Sequence, residues 1–108
     1  MFKIVIEHRT KDRESAKTLV KQIKKVRPIA AKQPGFISSN TYVDAADTRH
    51  IIIITTWQTR ENWEAWDKSA ERAATRPILE PLLAEPFSSI YLPTPVIFRD
   101  EPASDVAK

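Results

Sequence analysis

The segment IIIITTWQTRENWEAWDKS, residues 51–69, decides the fold. A strand with one wet face alternates apolar and polar residues. Here four isoleucines run together, Ile51 to Ile54. Successive strand side chains point to opposite faces, so Ile51 and Ile53 face one way and Ile52 and Ile54 the other. Both faces of this strand must therefore be dry. Beyond it stands Thr59, a residue type that caps helix N-termini, with Glu61 near the positive end of the helix dipole. Trp63, Trp66, Ala70 and Ala73 then recur at helical spacing. They predict one amphipathic helix that Pro77 breaks. A helix of this kind covers one face of a sheet, and something else must cover the other.

Working outward, residues 2–9 (FKIVIEHR) alternate as a strand. Phe2, Ile4, Ile6 and His8 share one face; Lys3, Val5, Glu7 and Arg9 share the other. Asp12 or Ser15 caps a helix whose stripe is Ala16, Leu19, Val20, Ile23, Val26 and Ala30, with Pro28 expected to kink its last turn. QPGF stops that helix at Pro34 and Gly35. A strand follows from Phe36 to Val43. The link DAADTR leads to the isoleucine strand, His50 to Trp57. LEPLLAEP reads as a short helical turn and FSSIYL, residues 87–92, as a last strand. The order β-α-β-β-α-β predicts an α+β, ferredoxin-like sandwich with a four-stranded antiparallel sheet. Strands one and three take its middle and both helices one face. The other face keeps Val5 and half of the isoleucines. Burying each such side chain is worth roughly 1.5–3 kcal/mol. A two-fold homodimer with sheets packed face to face is thus expected. The domain spans residues 1–93. In the tail, residues 94–108, Val96, Ile97 and Phe98 read as an arm crossing to the partner, with the last ten residues loose.

A length of 108 residues suits one domain. No cysteine is present, which removes disulfides, thiolate nucleophiles and Cys-based metal sites. The N-terminus shows no signal-peptide pattern and no apolar run reaches the roughly 18–20 residues that span a bilayer. A soluble cytoplasmic protein without membrane contact is expected. The formal charge is +3, yet from Lys11 to Lys32 eight Lys and Arg face only two acids. With no aromatic residue interleaved, this is read as a solvated helix face and not a nucleic-acid footprint. Two histidines far apart in sequence predict no metal site. No phosphate loop, HExxH or Ser-His-Asp order occurs.

QPGFIS, the strand ending TTW, the helix ENWEAWDKS and then LEPLLAEPFSSIYL together resemble the antibiotic biosynthesis monooxygenase domain family over about residues 1–92. The resemblance implies a dimeric α+β barrel. Its activities include cofactor-free oxygenation of quinols, haem degradation and members with no assigned reaction. Haem-degrading relatives carry an Asn late in strand one, a Trp in the second helix and a His ten residues later. The matching positions here are His8, Trp66 and Arg76. A guanidinium offers iron no lone pair, which disfavours the haem reading.

The expectation is a cofactor-independent monooxygenase acting on a small aromatic or quinol-type molecule. The alternative is a non-catalytic member that binds a small ligand or regulates. Such oxygenation needs a base near neutral pH, a flat apolar surface and a donor for the developing anion. His8 is the expected base, on an otherwise apolar strand face. Trp66 is expected to stack on the ring, Trp63 to form a wall, Arg76 to hold the oxyanion and Tyr42 to donate a hydroxyl. Trp57 is read as structural and His50 as exposed. Glu61, Glu64, Asp67 and Glu71 are read as outward-facing partners for Lys68 and Arg72.

Overall fold

The computed structural model describes residues 1–92. Its elements are β1 (Phe2–Arg9), α1 (Arg13–Ala31), β2 (Phe36–Val43), β3 (His50–Trp57), α2 (Arg60–Asp67), α3 (Ala70–Ala73), α4 (Arg76–Leu79), a 3-10 turn at Glu80–Leu82 and β4 (Ser88–Leu92). The four strands form one antiparallel sheet in the order β2-β3-β1-β4, with β1 and β3 central. This is the ferredoxin-like α+β fold. The proposed arm and loose end, residues 94–108, lie outside the described residues.

Register assigns the faces. Pairing Phe2 with Trp57, Ile4 with Thr55, Ile6 with Ile53 and His8 with Ile51 puts all eight toward the helices. The main cluster there joins Phe2, Ile4, Ile6 and Ala30 to the three tryptophans; a second joins Ala16, Leu19, Ile23, Ile51 and Leu83. α1 supplies its half through the expected stripe, and the Asp12 carboxylate accepts the Ser15 N–H at 2.7 Å as cap. Pro28 sits inside α1, which runs on to Ala31. Gly35, at φ +80°, makes the turn into β2, and its carbonyl accepts the Gln58 N–H at 2.8 Å. A left-handed residue there favours glycine, and any Cβ would collide with Asn62.

The second helix differs from expectation. Thr59 caps it as predicted, but it ends at Asp67, and Ser69 caps a new short helix by accepting the Arg72 N–H at 3.2 Å. The axis is thus reset. Ala70 and Ala73 are exposed and do not continue the tryptophan stripe. Pro77 stands in the first turn of α4, where its missing N–H is no loss, and begins that helix instead of ending the previous one.

Among the described residues no helix covers the opposite face. Val5, Ile52 and Ile54 are half-buried at its centre, and Tyr42, Ile90 and Leu92 are exposed around them. Lys3 and Thr56 are joined at 3.0 Å at one end; Glu7 and His50 lie at the other.

Candidate functional site

Between the sheet and the helices lies a cavity of about 70 Å³ lined by His8, Trp63, Trp66, Arg72, Ser39 and Thr55, with apolar walls from α1 and Ile53. β1 delivers His8 because position 8 continues the inward register of Phe2, Ile4 and Ile6. Its ring is 4 % exposed. His8 Nδ1 is buried with no hydrogen-bond partner among the described residues. The ring leans on Phe87, with centroids 5.5 Å apart. Hydrogen bonds from Lys11 N–H to the Leu82 carbonyl (3.0 Å) and from Ala84 N–H to the Arg9 carbonyl (2.7 Å) hold the chain before Phe87 against the end of β1.

Trp63 and Trp66 are both buried on α2 and both line the cavity. The cation beside them is Arg72, whose side chain is 15 % exposed. Its guanidinium lies 5.1 Å from the Trp63 ring centroid and 5.8 Å from that of Phe87. Nε donates to Asp67 Oδ1 at 2.9 Å. Two aromatic faces and one carboxylate therefore fix this charge in a partly desolvated place. Burial first, and the Arg72 charge second, lower the His8 pKa to about 4. At neutral pH His8 is an uncharged imidazole with a free buried nitrogen, facing a fixed cation.

Two further spaces connect outward. One of about 30 Å³ shares His8, Arg72, Thr75 and Leu79 with the cavity. A surface groove of about 550 Å³ shares Arg76, Glu80, Leu83 and Phe87 with that second space. Arg76, the cation expected from sequence, is exposed at this mouth and does not line the inner cavity. Tyr42 is not brought to the cavity either. It pairs with Ile52 on the open face and is 51 % exposed. Thus the structure groups His8, Trp63 and Trp66, and adds Arg72, Asp67 and Phe87. The signal for Arg72 was the Ser69 cap. Projecting one unbroken helix through Ser69 turned Arg72 outward with its acidic neighbours.

His50 is a second correction. It is 6 % exposed, not open to solvent. Its Nδ1 lies 3.0 Å from Asp44 Oδ2 and its Nε2 3.1 Å from Glu7 Oε1. The DAADTR link folds Asp44 back onto the strand, where the Asp44 N–H donates to the His50 carbonyl at 3.0 Å. The His50 hydrogen bond is the main reason the Asp44 carboxyl lies below its usual range.

At the position where the resemblance implies a haem ligand stands Arg76, whose guanidinium offers iron no lone pair, so the residue present there does not fit that group. Among the described residues no cluster of three His, Asp or Glu is arranged to hold a metal, and no helix is long and apolar enough to cross a membrane.

Solved structures with this fold include the ActVA-Orf6 monooxygenase of Streptomyces coelicolor in complex with nanaomycin D. It is 16 % identical, covers 93 % of this chain and 92 % of that one, and has a TM-score of 0.79. A conserved protein from Methanosarcina mazei Go1 is 13 % identical over 87 % and 92 % of the two chains, TM-score 0.80. A conserved protein of unknown function from Bacteroides thetaiotaomicron is 19 % identical over 84 % and 96 %, TM-score 0.71. No curated protein matches significantly. The sequence profile of the family described as antibiotic biosynthesis monooxygenase matches residues 1–77, a stretch that holds β1 and α2 with His8, Trp63, Trp66 and Arg72. On that match the chain belongs to the antibiotic biosynthesis monooxygenase family.

Proposed function

We propose that this chain is a cofactor-independent monooxygenase for a small quinol-type or anthrone-type aromatic, working as a homodimer. The observation that carries the reading is a buried neutral imidazole with an unpartnered nitrogen, set against a fixed guanidinium in an indole-walled cavity. His8 takes a proton from the ring substrate. Arg72 stabilises the oxyanion that forms, in a place where water screens it little. Trp66 and Trp63 hold the ring flat. The electron-rich anion then reduces dioxygen, and the overall balance needs no other reductant: for an anthrone a ring CH₂ and O₂ give a ring C=O and water, and for a quinol a ring C–H, the two hydroxyls and O₂ give a hydroxyquinone and water. A conjugate acid near pH 4 makes His8 a weak base in the empty site. An anion beside Arg72 offsets that positive charge and strengthens His8 as the anion forms.

A cavity of about 70 Å³ is below the roughly 300–1,000 Å³ of common ligand sites. Admission of a ring therefore requires displacement of the segment behind Arg72. α4, which follows Arg72, has four residues and no buried residue, so it is the least costly part to move while Arg72 stays against Asp67 and Trp63. The nanaomycin D complex of the Streptomyces relative supports a polycyclic aromatic as the ligand type. The small volume also favours a second reading, in which the same dimer binds a small ligand without turnover. The dimer is supported by the open face, apolar at its centre and polar at its ends. Ile54→Lys at that centre should yield a monomer by sedimentation.

Oxygen uptake with a panel of hydroquinones and anthrones decides between these readings. Wild type should consume oxygen, with His8→Ala slower by 10²-fold or more and Trp66→Phe slower by a smaller factor. Equal background rates in all three would leave the binding reading.

A further inference from the structure

Strand β2 is an edge, paired only with β3 among the described residues. Beside it α1 walls off two adjoining grooves of about 430 and 330 Å³ that share Val20, Lys24 and Val43. Ile51 and Ile23, both buried, close their floors. Along the rim the exposed face of α1 carries Lys17, Lys21, Lys24 and Arg27. Glu14, the one acid lining the grooves among the described residues, is taken by Lys17 at 3.3 Å. A free strand edge, an apolar floor and a basic wall together fit an extended segment with apolar residues followed by acids, which adds a strand and pairs its charges.

The chain itself contains such a segment: Val96, Ile97 and Phe98, followed after Arg99 by Asp100, Glu101 and, further on, Asp105. We infer that residues 96–105 of a second copy of this chain occupy the groove between α1 and β2. Covalent reach excludes the same copy. Leu92 is level with Ser38 through Lys3 and Thr56, while the groove centres on Thr41 to Val43. A strand beyond β2 stands four strand spacings from β4, about 19 Å, and the shift along β2 adds at least about 10 Å at right angles. The direct path exceeds about 20 Å. Ile97, five residues past Leu92, reaches at most about 18 Å. The arm therefore links two copies through a surface separate from the open sheet face.

The chain has no cysteine, so a disulfide trap is free of background. Full-length protein carrying Val43→Cys and Ile97→Cys is oxidised and run without reductant. A covalent dimer in the double variant, absent from either single variant, is the expected result. An internal monomer disulfide, no disulfide, or a dimer equally present in a single variant would each overturn the inference. A charge exchange gives a second reading. Lys21→Glu with Lys24→Glu, and separately Asp100→Lys with Glu101→Lys, should each weaken dimerisation tenfold or more. All four changes together should restore it to within a few-fold; additive weakening would contradict the assignment.

Discussion

The two histidines stand on opposite faces of one sheet, equally hidden and oppositely provided for. His8, 4 % exposed, faces the helices with Nδ1 lacking a partner among the described residues. His50, 6 % exposed, faces the open side with each nitrogen beside a carboxylate. Each nitrogen of His50 is within hydrogen-bond distance of a carboxylate, so neither is left open to a ligand and the residue ties the Asp44 link and strand β1 together. His8 is the reverse. A buried polar atom left unpaired costs about 1–3 kcal/mol, a cost that persists at sites where a ligand completes the bonding. Burial alone does not distinguish the two histidines; an unpaired nitrogen beside a fixed charge does.

The sharpest way to break this contrast is at Arg72. Arg72→Leu should lower kcat in the oxygen-uptake assay by about 10²–10³-fold, the usual loss for one oxyanion donor. Arg76→Leu, at the mouth, should act mainly on KM. If the two variants behave alike, the inner cation is not the one that matters.

Next in size is acid stability. The His8 pKa falls from 6.5 in the unfolded chain to about 4 in the folded one. Between these values the unfolded state binds the extra proton. Stability is therefore full above pH 6.5 and is lost as pH falls toward 4, by about 3 kcal/mol in all. His8→Gln, neutral throughout, should lack that loss in urea titrations at pH 7 and pH 4.5. An equal pH dependence in the variant would remove the buried neutral imidazole from the account.

On the other face, His50→Ala leaves Asp44 and Glu7 facing each other without the donor between them. A loss of about 1–3 kcal/mol in unfolding free energy is expected, with oxygen uptake retained in the folded fraction. Smallest of all, Tyr42→Phe should leave oxygen uptake unchanged, since the hydroxyl lies across the sheet from the cavity.

The strand faces were legible because a period of two in FKIVIEHR and a run of four isoleucines leave one register that buries them. The caps Asp12 and Thr59 and the glycine turn were legible from local chemistry. What was not legible depended on chain direction after a break. Ser69 restarts the helix, and that one cap decides that Arg72, not Arg76, lines the inner cavity. The burial of His50 depends on Asp44, six residues earlier, and Glu7, on another strand. Neither neighbour follows from spacing. Cavity size was also beyond pattern, because it depends on how side chains from seven elements meet.

The most direct test of the central claim, that His8 is held uncharged and unpaired before a fixed cation, is a titration of its imidazole nitrogens by NMR. The account predicts an uncharged ring at pH 6, a midpoint near 4, and a rise in that midpoint when a phenol-type ligand fills the cavity. A midpoint near 6.5, unmoved by ligand, would contradict it.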